Sequence, residues 1–146
     1  MDIKFVELEE QRVIGLKHRG PYMEIGKVFE ELHSHQASIP SCEALVAIYY
    51  DDPHQIPEAD LRSMAGVISE SKVDGLAEET IPAGKWATVT FEGHYAGLPK
   101  AWEDFYGSIF ARGLKTRPEL CYEKYLNTPM DVAPEKLLTE LYAPLA

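Results

Sequence analysis

The sequence has only two cysteines, Cys42 and Cys121, in 146 residues. Two thiols so far apart form no zinc-ligand spacing and no disulfide framework, so both are expected as buried, reduced thiols. No apolar run reaches membrane-spanning length, and no membrane partner is expected. The start, Met1 to Glu7, lacks the basic and apolar regions of a signal peptide, so a cytoplasmic location is expected. Lys and Arg form no cluster, and the formal net charge is −10. Direct nucleic-acid binding needs a basic face to neutralise phosphates, and it is not expected here. No Gly-Lys-Ser/Thr phosphate loop is present, nor a Gly-x-Ser-x-Gly elbow. His33 and His35, two apart on a predicted helix, point to different faces. No metal site is expected, and no motif implies a cofactor. His94, after Gly93, reads as a loop residue near a helix start.

What is present is ordinary globular composition, 45 % hydrophobic and 26 % charged, with turns marked by 10 Gly and 10 Pro. That predicts one domain over residues 1–146. Ile3–Glu9 alternates and reads as a strand, with Gln11–Arg19 as its hairpin partner. Glu24–Gln36 has apolar residues at Ile25, Val28, Phe29 and Leu32, a helical spacing. Leu45–Tyr50 and Leu61–Glu70 read as strands, and Ser71–Pro82 as a loop with a turn at Asp74-Gly75. Asp51 and Asp52, before Pro53, look like turn formers. Lys85–Glu92, Leu120–Leu126 and Leu137–Tyr142 read as strands. Pro99–Arg112 reads as a helix stopped near Gly113.

The halves overlay at an offset of 73 residues. Gly20-Pro21-Tyr22 falls on Gly93-His94-Tyr95, and Lys27–Leu32 on Lys100–Phe105. Tyr49-Tyr50-Asp51-Asp52-Pro53 matches Tyr125–Pro129, with a drift of a few residues. This predicts an α+β fold of duplicated β-α-β-β units, with repeats at about 3–70 and 84–144. Joined about a pseudo-twofold axis, they would make an antiparallel sheet of about eight strands with two main helices. A groove between the repeats is the expected place for a small ligand.

The stretch Leu120–Pro129 has the composition of a strand, ended by Asn127, Thr128 and Pro129. Alternation along that strand puts Cys121, Glu123 and Tyr125 on one face, and Tyr122, Lys124 and Leu126 on the other. Glu123 falls opposite Ala47 or Ile48 of the first half, so only the second half carries this carboxylate. It also carries both tryptophans, Trp86 and Trp102, and composition leaves open whether each is core or pocket wall. If the Glu123 face is the inner one, an ionisable group lies in an aromatic wall. Buried carboxylates are rare unless paired or used. Such a wall suits a flat, lipophilic cation. The candidate ligand-binding residues are Glu123, Trp102, Tyr125, Trp86 and Tyr95, with Tyr50 from the twin strand.

The run Leu45–Pro53 followed by Pro57–Arg62 resembles the GyrI-like proteins. So do Gly84–Val89, the helix start Lys100-Ala101-Trp102 and Cys121–Asn127. The resemblance spans Ile3 to about Pro144. It implies two β-α-β-β repeats and a small-molecule pocket, the module also used as the effector-binding domain of AraC- and MerR-type multidrug regulators. In those the glutamate matched by Glu123 meets cationic aromatic ligands. A helix-turn-helix segment is not found, so a transcription factor is not expected. Three functions follow in order. The first is binding of hydrophobic, often cationic, aromatic compounds. The second is hydrolysis of cyclopropane-bearing alkylating toxins, with Glu123 as the catalytic residue. The third is inhibition of DNA gyrase by protein contact.

Overall fold

Glycine and proline divide the chain into short strands around two helices. The computed structural model describes residues 2–39 and 44–146; Cys42 lies outside the described residues. In chain order the elements are β1 (Lys4–Leu8), β2 (Gln11–Arg19), α1 (Ile25–His33), β3 (Leu45–Tyr49) and β4 (Arg62–Ile68). Then come β5 (Ala77–Ile81), β6 (Gly84–Glu92), α2 (Leu98–Ala111), β7 (Cys121–Tyr125) and β8 (Leu138–Pro144). Eight strands and two main helices make an α+β fold, as expected.

The contacts gather into two units. One holds the segment through Leu8 together with Ala83–Ala146; the other is Glu9–Pro82. In the first unit the strand order is β1-β6-β8-β7, and in the second β3-β4-β2-β5. The pairs β1–β6, β6–β8, β2–β4, β2–β5 and β3–β4 are all antiparallel, as is β7–β8.

Each helix follows a glycine with positive φ, Gly20 at 134° and Gly93 at 146°. L side chains rarely adopt that conformation, so glycine is what lets each strand turn into its helix. On α2 the buried residues Leu98, Ala101, Phe105 and Ile109 recur at helical spacing and cover Val89 and Leu141. On α1, Val28 and Leu32 cover Ile14, Ala65 and Val67.

Two local expectations are corrected. β1 pairs with β6 rather than with β2, Val6 standing opposite Trp86. A two-residue hairpin needs positive φ at its centre. Between β1 and β2 stand Glu9 and Glu10, and no described non-glycine residue has positive φ. The chain therefore passes on instead of folding back. The span read as a loop at Ser71–Pro82 contains β5, which pairs with β2. Its alternating exposure, with Glu78 and Thr80 outward, gives it a polar composition. The turn before it is where expected, with Gly75 at φ 88°.

Gly15 of β2 faces Gly66 of β4. A Cβ on Gly15 would sit 2.0 Å from the Ala65 carbonyl oxygen. The Gly15→Ala variant is expected to lose about 1–3 kcal/mol. Its melting temperature should fall by about 2–4 °C for each kcal/mol lost. Circular dichroism melting checks this, and an unchanged melt would show that the strands can separate without cost.

Candidate functional site

The site is built from β7 and α2, both in the unit that ends at Ala146. The register sets Glu123 opposite Leu141 and Leu141 opposite Val89. Val89 and Leu141 pack with Phe105 and Ala101 of α2, so this is the helix-covered face. One pair further along, Tyr125 stands opposite Thr139 and Thr139 opposite Phe91, on the same face.

Glu123 is 2 % exposed. The indole Nε1–H of Trp102 donates to its Oε2 at 2.7 Å. The Tyr125 hydroxyl donates to its Oε1 at 2.8 Å. Each carboxylate oxygen thus receives a donor from an aromatic side chain. Both donors are neutral: they hold the carboxylate in place without supplying a positive charge. Rings surround it. Tyr95 meets Tyr125 edge-on, with centroids 5.6 Å apart. Trp102 stacks on Tyr106 at 5.8 Å and tilts against Phe105 at 5.8 Å. Trp102, Tyr95, Tyr106 and Tyr125 are all half-buried.

The surroundings respond to the carboxylate. Burial, and then the charge of Glu123, raise the Tyr95 phenol above its ordinary value. Burial pushes the Cys121 thiol up to about 12, helped by the Glu123 charge and opposed by a hydrogen bond with Tyr106. Both effects favour neutral neighbours around a buried oxygen pair.

Of the residues expected at this site, the structure brings Glu123, Trp102, Tyr125 and Tyr95 together. Trp86 is placed elsewhere. It lies on β6 two residues from Thr88, which pairs with Tyr142, and Tyr142 pairs with Tyr122. That is the opposite face of the strands from Glu123. There Trp86 is fully buried, 5.3 Å from the Tyr122 ring. Strand alternation is the reason, and it makes Trp86 core. Tyr50 belongs to the other unit, where two cations stand over its ring and Glu79 accepts its hydroxyl. Lys17 Nζ lies 5.5 Å and Arg62 Cζ 5.6 Å from its ring centroid. Burial, and then its hydrogen bond to Glu79, raise its phenol above the usual range.

Sequence reasoning missed Tyr106 as a wall, although it lies four residues after Trp102 and so on the same helix face. Tyr49 stands opposite Ser63 as Tyr125 stands opposite Thr139, and its ring is 4.6 Å from Tyr22. The overlay of the halves had matched Tyr49 with Tyr125. By the same pairing, Ala47 takes the place of Glu123. His94 Nδ1 accepts the backbone N–H of Ala96 at 3.0 Å, a turn-capping role. Asp51 does more than turn the chain. It accepts Arg62 N at 2.8 Å, Nε at 3.1 Å and Nη2 at 2.8 Å. That clamp links the Tyr-Tyr-Asp run to the later Leu-Arg.

The model of the GyrI-like small molecule binding domain family matches residues 1–146. The "DNA gyrase inhibitor" of Pectobacterium carotovorum subsp. carotovorum (strain PC1) is 33 % identical over 140 residues, 86 % of this chain and 87 % of that protein. The crystal structure of the EcmrR C-terminal domain overlays with a TM-score of 0.80 at 18 % identity, covering 99 % of this chain and 97 % of that one. The structure of SAV2435 bound to tetraphenylphosphonium overlays with a TM-score of 0.76 at 13 % identity, covering 100 % and 94 %.

The Cys121 thiol and the buried Tyr142 phenol give the protein an alkaline limit. Burial moves Cys121 from 9.0 up to about 12. Burial, and then Glu140, move Tyr142 from 10.0 up to about 12. A pKa raised on folding contributes stability that is full below the unfolded value and is lost as pH climbs toward the folded one. Urea midpoints should therefore hold up to about pH 9 and fall steadily above it, with a smaller fall in Cys121→Ala. A flat profile through pH 10 would contradict the raised Cys121 thiol.

Proposed function

This chain belongs to the GyrI-like small molecule binding domain family, and we propose that its ligands are hydrophobic, often cationic, aromatic compounds held at Glu123. The observation that carries the proposal is the carboxylate itself. It is 2 % exposed, fixed at both oxygens and enclosed by rings. A cation about 4 Å away would gain roughly 4 kcal/mol at an effective dielectric near 20. Each aromatic face would add about 0.5–2 kcal/mol. Trp102, Tyr125 and Tyr95 are the faces nearest the charge. They reject small dicarboxylates and phosphates, which would meet a buried negative charge. The tetraphenylphosphonium bound to the structural relative SAV2435 is a ligand of the class this chemistry selects.

Calorimetric titration with tetraphenylphosphonium tests the assignment. Glu123→Gln keeps the shape and removes the charge. It should bind at least about tenfold more weakly than wild type, a loss of about 1.4 kcal/mol. Equal affinity in the two proteins would end the proposal.

A second reading rests on the relative named a DNA gyrase inhibitor, whose match covers most of both chains. Here the partner is DNA gyrase, and the contact is between proteins. A net charge of −10 suits a basic surface on that enzyme. On this reading excess protein slows supercoiling, and added salt relieves the effect. Supercoiling that proceeds at the same rate with and without the protein would remove it.

A further inference from the structure

The chain is acidic, yet one end of the β2–β4 pair is basic. Lys17, Arg19 and Arg62 are exposed there. Arg19 stands opposite Arg62, and Lys17 opposite Met64. Alternation therefore puts all three cations on one face, the face away from α1. Tyr50 joins them. Its backbone N–H donates to the Arg62 carbonyl at 3.2 Å. Its hydroxyl lies 3.9 Å from Met64 Sδ. Lys17 and Arg62 both lie within 6 Å of its ring centre. With His18 and Ser63 these residues line a cavity of about 280 Å³.

Two carboxylates support the cations without lining the cavity. Asp51 grips Arg62 through Nε and Nη2. Glu79 accepts the Tyr50 hydroxyl and lies 3.9 Å from Lys17 Nζ. Arg19 forms no salt bridge among the described residues. Its charge reaches only as far as helping Arg62, the main cause, to hold the Asp51 carboxyl below the usual range. Glu24, 4.0 Å from His18 Nε2, is shared with Lys27 at 3.6 Å, so Arg19 is the cation at the cavity left without a salt bridge among the described residues.

We propose that this cavity is a second binding site, for a small anion carrying a carboxylate or a phosphate group. Like charges held close together raise one another's free energy, and an anion between them relieves that repulsion. Arginine guanidinium groups present paired N–H donors that match carboxylate and phosphate oxygens. The volume falls just below the usual small-molecule range, which selects a compact ligand. The Tyr50 ring holds Lys17 and Arg62 in place, and its hydroxyl is committed to Glu79. Exposed cations are screened by salt, so affinity falls as ionic strength rises. This selectivity is opposite in sign to that of the Glu123 site.

The test is an NMR titration of the full-length ¹⁵N-labelled protein with inorganic phosphate and, separately, with benzoate. Sodium chloride at matched ionic strength is the reference. The expected result is saturable shifts of the amides of residues 17–19 and 62–63. Arg19→Gln should bind about tenfold more weakly, and Lys17→Gln should also bind more weakly. Saturation by phosphate alone assigns a phosphate ligand; saturation by benzoate assigns a carboxylate. Chloride reproducing the shifts, or Arg19→Gln keeping wild-type affinity, overturns the proposal. Arg19 is exposed, so its loss does not threaten the fold.

Discussion

A carboxylate leaves water only where other groups take over its hydrogen bonds. In this protein that constraint falls on Glu123, and the surrounding unit is arranged to meet it. β7 turns the side chain toward α2. α2 supplies the indole N–H of Trp102, and β7 itself supplies the hydroxyl of Tyr125. Both donors carry rings, so the groups that satisfy the carboxylate also form the aromatic wall around it.

The two units differ in chemistry. Each packs one helix on one face of four strands, and each helix follows a glycine with positive φ. In the first, the helix-covered face carries a charged residue, Glu123. In the second, the same pairing position holds Ala47, and that face is closed by Val28 and Leu32. The charge of the second unit appears on its other face, where Lys17, Arg19 and Arg62 gather around Tyr50. Net charge hides this arrangement, because a total of −10 averages an acidic surface with a local basic end.

Much of the site was legible before the structure. Period-two alternation made Cys121, Glu123 and Tyr125 neighbours on one face. The glycine-tyrosine pairs marked the helix starts, and helical spacing placed Trp102 on the second helix. The overlay matched Tyr49 with Tyr125, and the twin-strand candidate named was Tyr50. The two adjacent tyrosines point to opposite faces, and nothing local says which face a helix covers. β5 was read as a loop because Glu78 and Glu79 dominate its short span. An edge strand needs no continuous apolar pattern, since a single neighbour satisfies its backbone.

By itself the sequence determined the kinds and order of the elements, the helical stripes and the grouping of alternate residues along each strand. These depend on backbone geometry and on neighbours a few positions away, which the chain carries in its own order. Only the tertiary structure decided that β1 pairs with β6, that α2 covers the Glu123 face, and that Trp86 lies on the other side of the strands. Those choices depend on contacts between residues far apart in the chain. Their free energy comes from burying whole faces together, and no short window of sequence contains it.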